Sequence, residues 1–329
     1  MAGRNIVGCN INCLQPGISP CVVDCDITDC NGHGTHIGGC AAASGGISGI
    51  APGASLVALK VFEECSSGGV TPVDIRRAIN WAVDNSEQYN ISVISISIGY
   101  FIIYTDGHCD GRNAFITIFN GINLALEVGI GTVIAAGNGG SSEGIDAPAC
   151  LSNAIPVAAT KKDDTVANYS NYNELVKLFA TGGDVDGGGW INTTEMGGGY
   201  GTTGGTSAST PMVAASIAIL RQFLDAIGEI DTLDPFELEE ILFQTGDPII
   251  GLPPESWTRI NVQAAVQRLI DDLVTPGDLN LDGVISTNDL LLLFANWGTC
   301  PDCNDCPADL DGDCNVSTSD LLILFANWG

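Results

Sequence analysis

Positive charge is scarce in this chain of 329 residues: 11 lysines and arginines stand against 39 aspartates and glutamates, a formal charge of −28 at pH 7. A field of that sign repels phosphate backbones and anionic lipid surfaces, so nucleic acid is excluded as a partner. It suits calcium or a cationic surface instead. Long apolar runs are missing as well. Nothing approaches the roughly 20 residues that cross a bilayer, so no membrane insertion is expected. The opening "MAGRNIVGCN" carries no apolar leader.

Cysteine, by contrast, is plentiful. There are 13, and Cys9, Cys13, Cys21, Cys25, Cys30 and Cys40 crowd into the first forty residues. That usage points to disulfides in an oxidising compartment, and the odd count leaves at least one thiol free or paired with a cysteine outside this chain. An acidic, cysteine-rich chain without an export signal is expected to lack its beginning. Length and a hydrophobic content of 45% allow one large core plus a small satellite.

From Ser55 to about Val274, short apolar runs alternate with amphipathic stretches. "SLVALKV", "SVISISI", "GTVIAA" and "NAIPVAA" have the length and continuous apolarity of parallel strands buried on both faces. "TPVDIRRAINWAVDN" predicts a helix with Thr71 as N-cap, Pro72 in its first turn and Asp74 where a capping-box acid belongs. "NAFITIFNGINLALEVG" predicts another, ending at Gly129. The alternation implies an α/β sheet with right-handed crossovers, its sites gathered at the carboxyl ends of the strands.

Near Pro276 the composition shifts. The last 55 residues hold nine aspartates and no lysine, arginine or glutamate, and "DLLLLFANWG" returns as "DLLILFANWG" after 31 residues. An acidic loop precedes each copy. Asp278, Asn280, Asp282, Ser286 and Asp289 take positions 1, 3, 5, 9 and 12 of the first, with Gly283 at position 6. Asp309, Asp311, Asp313, Ser317 and Asp320 repeat the spacing, with Cys314 in place of the glycine. Oxygen ligands so spaced, running straight into a helix, suit a hard cation. Cys300, Cys303, Cys306 and Cys314 allow a metal thiolate site, but disulfides fit an acidic, exported chain better. The paired loops resemble the calcium repeats of dockerin modules, which implies structural Ca2+ and attachment to a cohesin-like module. The cysteine at position 6 implies a strained or weaker second site.

"GTTGGTSASTPMVAASIAIL" places Ser207 after a glycine-rich loop, at the head of a small-residue helix with Pro211 in its first turn. There its own amide and the helix dipole face developing negative charge. "GTVIAAGNGG" sets Asn138 just beyond a buried strand, and "NGHGTHIGG" supplies His33 and His36. A nucleophile, an oxyanion donor and a base therefore come from three separate elements. Taken in order, "NGHGTHIGG", "GIAPGASLVALKV", "SISIG", "AAGNGG", "ANYSNYNELVKLFATGG", "GTSASTPMVAA" and "RINVQAAV" resemble the subtilisin-like serine proteases over residues 28–267. No Gly-x-Ser-x-Gly elbow competes with that match.

The resemblance implies a subtilisin-like three-layer α/β fold with a mostly parallel sheet over residues 1–274, then a small all-α dockerin-like module over 275–329. It makes His33 the general base, His36 its companion, Ser207 the nucleophile and Asn138 the oxyanion donor. Ser97, Ile98 and Gly99 would line one side of the substrate pocket, and Ala135, Ala136 and Gly137 the other. The family's Asp-(Thr/Ser)-Gly strand, which precedes the histidine, has no counterpart. Asp24, Asp26 and Asp29 belong to the acidic turn just before His33 and should not reach the imidazole from behind. The expectation is an extracellular or cell-surface endopeptidase acting on protein or peptide substrates, truncated before its first strand and weakened by the missing aspartate. The alternative is an inactive protease-fold binding protein anchored by the same tail.

Overall fold

A computed structural model of the protein describes residues 6–10, 28–62, 69–184, 186–230, 232–303 and 306–329. Asp24, Asp26, Cys13, Cys21 and Cys25 lie outside the described residues. The chain divides into two compact units, Met1–Ile219 with Leu233–Val262, and Leu220–Thr232 with Gln263–Gly329.

The first elements are β1 (Ile6–Asn10), α1 (His33–Ala42), β2 (Leu56–Lys60), α2 (Pro72–Asp84), α3 (Ser86–Tyr89), β3 (Val93–Ile96) and β4 (Ile103–Tyr104). Next come α4 (Ile116–Glu127), β5 (Gly131–Ala135), β6 (Ile145–Asp146), β7 (Ile155–Thr160) and β8 (Leu178–Thr181). The hairpin β9 (Ile191–Thr194) and β10 (Tyr200–Thr203) leads into α5 (Thr206–Ala226). After it follow α6 (Pro235–Gln244), β11 (Asp247–Pro248), β12 (Thr258–Arg259) and α7 (Val262–Leu273). The tail adds α8 (Thr287–Ala295), β13 (Gly298–Thr299), β14 (Asn315–Val316) and α9 (Thr318–Ala326).

In the larger unit, six strands pair in the order β11-β12-β8-β7-β5-β3. All are parallel from β12 to β3, and only β11 runs antiparallel. Every residue of β5 and β7 is buried, as their unbroken apolar sequences require. Helices α2 and α4 bury Ile75, Ile79, Ile118 and Ile122 in the same core as Ile134 and Phe179. Each such side chain contributes about 1.5–3 kcal/mol on leaving water. Helix α2 starts as its sequence demands, with Thr71 and Asp74 forming a reciprocal capping box.

Strands β1 and β2 pair in parallel with each other and with no other strand among the described residues. Val57 and Leu59 of β2 and Ile91 and Ile98, which flank β3, pack against the same cluster around Trp81 of α2. One edge of β2 and one edge of β3 are thus unpaired among the described residues, although both strands are half-buried and apolar. An open edge leaves peptide donors and acceptors to water.

In the smaller unit the two acidic loops adopt one geometry twice. The position-6 amide of each donates to the position-1 carboxylate: Gly283 to Asp278 at 2.9 Å and Cys314 to Asp309 at 2.7 Å. Asp289 and Asp320 close the loops, each accepting from three backbone amides and completing the capping box of α8 or α9. Gly283 has φ +81°, and Cys314 holds the same left-handed conformation at φ +68°. A side chain strains there. Cys314 is bonded to Cys303 and Cys300 to Cys306, so all four tail thiols are in disulfides. In the larger unit Cys109 pairs with Cys150 and Cys30 is also disulfide-bonded, whereas Cys40 is a buried free thiol. No helix among the described residues is long and apolar enough to cross a membrane.

Candidate active site

Three chain segments reach one place at the carboxyl ends of β3 and β5. Helix α5 opens at Thr206, so the Ser207 amide falls in the first turn, where a helix cannot supply an acceptor. Neither that amide nor the Ser207 hydroxyl has a hydrogen-bond partner among the described residues. The residue before it is anchored instead. Asn138 Oδ1 accepts from the Thr206 amide at 2.9 Å and from the Thr206 hydroxyl at 3.0 Å. Thr206 Oγ1 in turn accepts from the Gly137 amide at 3.2 Å. With its oxygen taken twice, the exposed Asn138 side chain keeps Nδ2 free to donate.

Pro211 lies inside α5, not in its first turn as the sequence had implied. Proline has no N–H, so the Ser207 carbonyl four residues earlier loses its helical donor. The Ser97 hydroxyl fills that role at 2.9 Å. One of the expected pocket residues is thereby tied to the backbone of the serine. Beyond it, β3 and β5 pair in register at Ile96 and Ile134, which sets Ser97–Gly99 beside Ala135–Gly137.

Helix α1 carries His33 at its first residue. Thr193 and Thr194 of β9 donate to the carbonyls of His36 and Thr35 at 2.6 and 2.8 Å. A Cβ on Gly39 would collide with both threonines, so that glycine permits the close approach. Cys40, two turns along the helix from His33, packs with Ala208 and Met212 of α5. The histidine helix and the serine helix are therefore packed side by side. Burial lowers the His33 pKa from 6.5, as does the charge of His36, while Asp29 opposes them.

Asp29 does not hold the imidazole. Its carboxylate accepts from the amides of Asn31, Gly32 and Thr35 and from the Thr35 hydroxyl, at 2.7–3.0 Å. It caps α1. Burial works to raise its pKa, yet these four donors together bring it down to about 2. Among the described residues no carboxylate hydrogen-bonds the His33 ring, and no hydrogen bond joins His33 to Ser207.

Two supporting residues escaped the sequence reading. Asn171 is fully buried and accepts from the amides of Gly139 and Ser141 while donating toward Ala136 and Asp146. Thr206 joins Asn138 to Gly137. Asn171 is one of several polar residues in "ANYSNYNE" and Thr206 one of several hydroxyl residues in "GTTGGTSAST", so nothing along the chain marks out either.

Residues 23–281 match the subtilase family model, peptidase S8. The thermophilic serine proteinase of Bacillus sp. (strain AK1) is 34% identical over 248 residues, 74% of this chain and 54% of that protein. The thermostable alkaline protease of Halalkalibacterium halodurans is 35% identical over 196 residues, covering 59% and 48%. The chain thus spans about half the length of each. Among solved structures, the protease domain of PatA superposes with a TM-score of 0.63 at 24% identity, over 82% of this chain and 88% of that one, a likeness of fold.

Proposed function

The chain belongs to the subtilase family, and on that footing we propose that it is a secreted serine endopeptidase with Ser207 as nucleophile, His33 as general base and Asn138 as oxyanion donor. The observation that carries this reading is the anchoring of Thr206 and the Ser207 carbonyl by Asn138, Gly137 and Ser97, with the Ser207 hydroxyl and amide left open. Ser207 Oγ attacks the peptide carbonyl carbon, and its proton passes to His33. The oxyanion rests on the Ser207 amide and Asn138 Nδ2. His33 then protonates the departing amine, and water repeats the sequence on the acyl-enzyme. Burial lowers the His33 pKa, which favours the neutral imidazole that can accept the serine proton. Substrate lies between Ser97–Gly99 and Ala135–Gly137. Disulfides support an oxidising, extracellular setting.

No carboxylate supports His33 among the described residues, so those residues alone should turn over about 10⁴-fold more slowly than a full triad. That observation favours the second reading, a groove-presenting binding protein. Fluorophosphonate separates the two. The protease reading expects covalent labelling of the full chain that vanishes in Ser207→Ala, whereas a binding protein never labels.

Residues 275–329 form, in this proposal, a dockerin-like tether for a cohesin-like module. The oxygen donor set fits a hard cation: carboxylate oxygens of Asp309, Asp311 and Asp313 lie within 4.8 Å of one another. Asp278, Asn280, Asp282, Ser286 and Asp289 would hold one Ca2+, and Asp309, Asp311, Asp313, Ser317 and Asp320 the other. The ion would supply the charge that lets these carboxylates stay together. Leu291 and Leu322, at equivalent places in α8 and α9, are 66% and 69% exposed, which suits a docking face. Calcium should raise the melting temperature of the tail and EGTA lower it. Indifference to both would remove the calcium and tether reading.

A further inference from the structure

Asp146 plays no part in the chemistry above, and its position calls for an account. It is 3% exposed, and its amide donates to the Ala136 carbonyl at 2.8 Å. Across the same gap the Tyr100 amide donates to the Ala147 carbonyl at 2.9 Å, so Asp146 bridges the two segments expected to flank substrate. Its carboxylate points between them. A Cβ built on Gly99 would lie 3.3 Å from Asp146 Oδ2, and one on Gly137 would collide with the carboxylate. Gly137 has φ +106°, a conformation that itself favours glycine. The carboxylate therefore packs against two glycines that put no side chain over it, and the side-chain-free strip between them is the slot through which the acid could be approached.

That acid has almost nothing to balance it. Oδ1 accepts one long bond, 3.3 Å, from Asn171 Nδ2, and Oδ2 accepts none among the described residues. No lysine, arginine or histidine among them forms an ion pair with it. Burial pushes its pKa up, as an uncompensated carboxylate requires. A cation entering the slot would supply the missing counter-charge. The slot also adjoins the serine, since the Gly137 amide donates to Thr206 and the Ser97 hydroxyl to the Ser207 carbonyl.

We propose that Asp146 is the floor of the pocket for the substrate side chain on the acyl side of the scissile bond, and that it selects arginine or lysine there. This rests on the protease reading. A guanidinium can meet both carboxylate oxygens, so arginine should lead lysine.

The test uses peptide nitroanilides that differ only in the residue before the anilide: Arg, Lys, Phe or Glu. Arg and Lys should exceed Phe in kcat/KM by at least about 100-fold. Asp146→Asn, isosteric and still able to accept from Asn171, should lower the Arg-to-Phe ratio by a similar factor. A preference for Phe, or a ratio unmoved by the substitution, overturns the proposal. A second readout does not need turnover. p-Aminobenzamidine, a fluorescent amidinium, should bind the full chain carrying Ser207→Ala and lose at least tenfold in affinity when Asp146→Asn is added. Absent or Asp146-independent binding overturns the proposal too. Fluorophosphonate labelling of Ser207 without any Asp146 effect sinks the pocket alone. Asp146-dependent dye binding without labelling sinks the protease reading alone.

Discussion

Ser207 and His33 stand at the heads of two packed helices, and their surroundings are built to different degrees of completeness. Around the serine, each neighbouring polar group has a defined role. Asn138 holds Thr206 by two bonds, Gly137 reaches the same threonine, and Ser97 replaces the donor that Pro211 cannot supply. Around the histidine the backbone is just as well fixed, by Asp29 from below and by Thr193 and Thr194 from the side. Its ring, however, has no carboxylate partner among the described residues. On the proposed assignment the nucleophile and oxyanion half is preorganised, whereas in the base half the helix is positioned and the imidazole is not. The proposed mechanism draws on both halves.

The largest effects should come from the reacting groups themselves. Ser207→Ala and His33→Ala should each lower kcat by up to about 10⁶-fold relative to a fully supported site, less from a slower starting rate, and the double variant should fall no further. Additive losses would mean that the two side chains do not act as a unit. Asn138→Ala should come next, costing about 10²–10³ in kcat with little change in KM. An equal loss in KM would assign the amide to substrate binding instead. Ser97→Ala leaves the Ser207 carbonyl without its donor and should destabilise the fold by about 1–3 kcal/mol, read as a lower Tm. Unaltered stability there would show that water replaces the hydroxyl, and the two halves would then differ less than the hydrogen bonds imply.

Much of this was legible in the sequence, for reasons that differ by element. The strands β5 and β7 and the cap of α2 are local: continuous apolarity and a Thr-x-x-Asp pattern fix them with little help from the rest of the chain. The proposed roles of His33, Asn138 and Ser207 rest on the order of seven segments that resemble one family. The uses of Asn171, Thr206 and Ser97 depend on which loops meet, and no spacing along the chain encodes that. Pro211 shows the limit well. Its place after Ser207 was plain, but the donor that compensates for it, Ser97, sits 110 residues before Ser207. Asp146 left no signal until Gly99 and Gly137 were seen on either side of it.

The smallest expected effect concerns Asp29, and it separates a cap from a catalytic carboxylate. Its folded pKa of about 2 lies below the ordinary aspartate value of 3.8. A depressed carboxylate stabilises the fold above its unfolded pKa, and that contribution fades as pH falls from about 3.8 toward 2. Since the group is partly solvated, helix-cap values are the better guide to its size, about 1 kcal/mol. Asp29→Asn retains one acceptor oxygen and should cost less than Asp29→Ala, and both should melt closer to the parent at pH 2 than at pH 6. Neither substitution should change kcat by more than a few fold, because the carboxylate holds α1 and not the imidazole. A 10⁴-fold loss in Asp29→Asn at unchanged Tm would show the reverse: that this carboxylate turns to the His33 ring in the working enzyme, and that the base half is as complete as the nucleophile half.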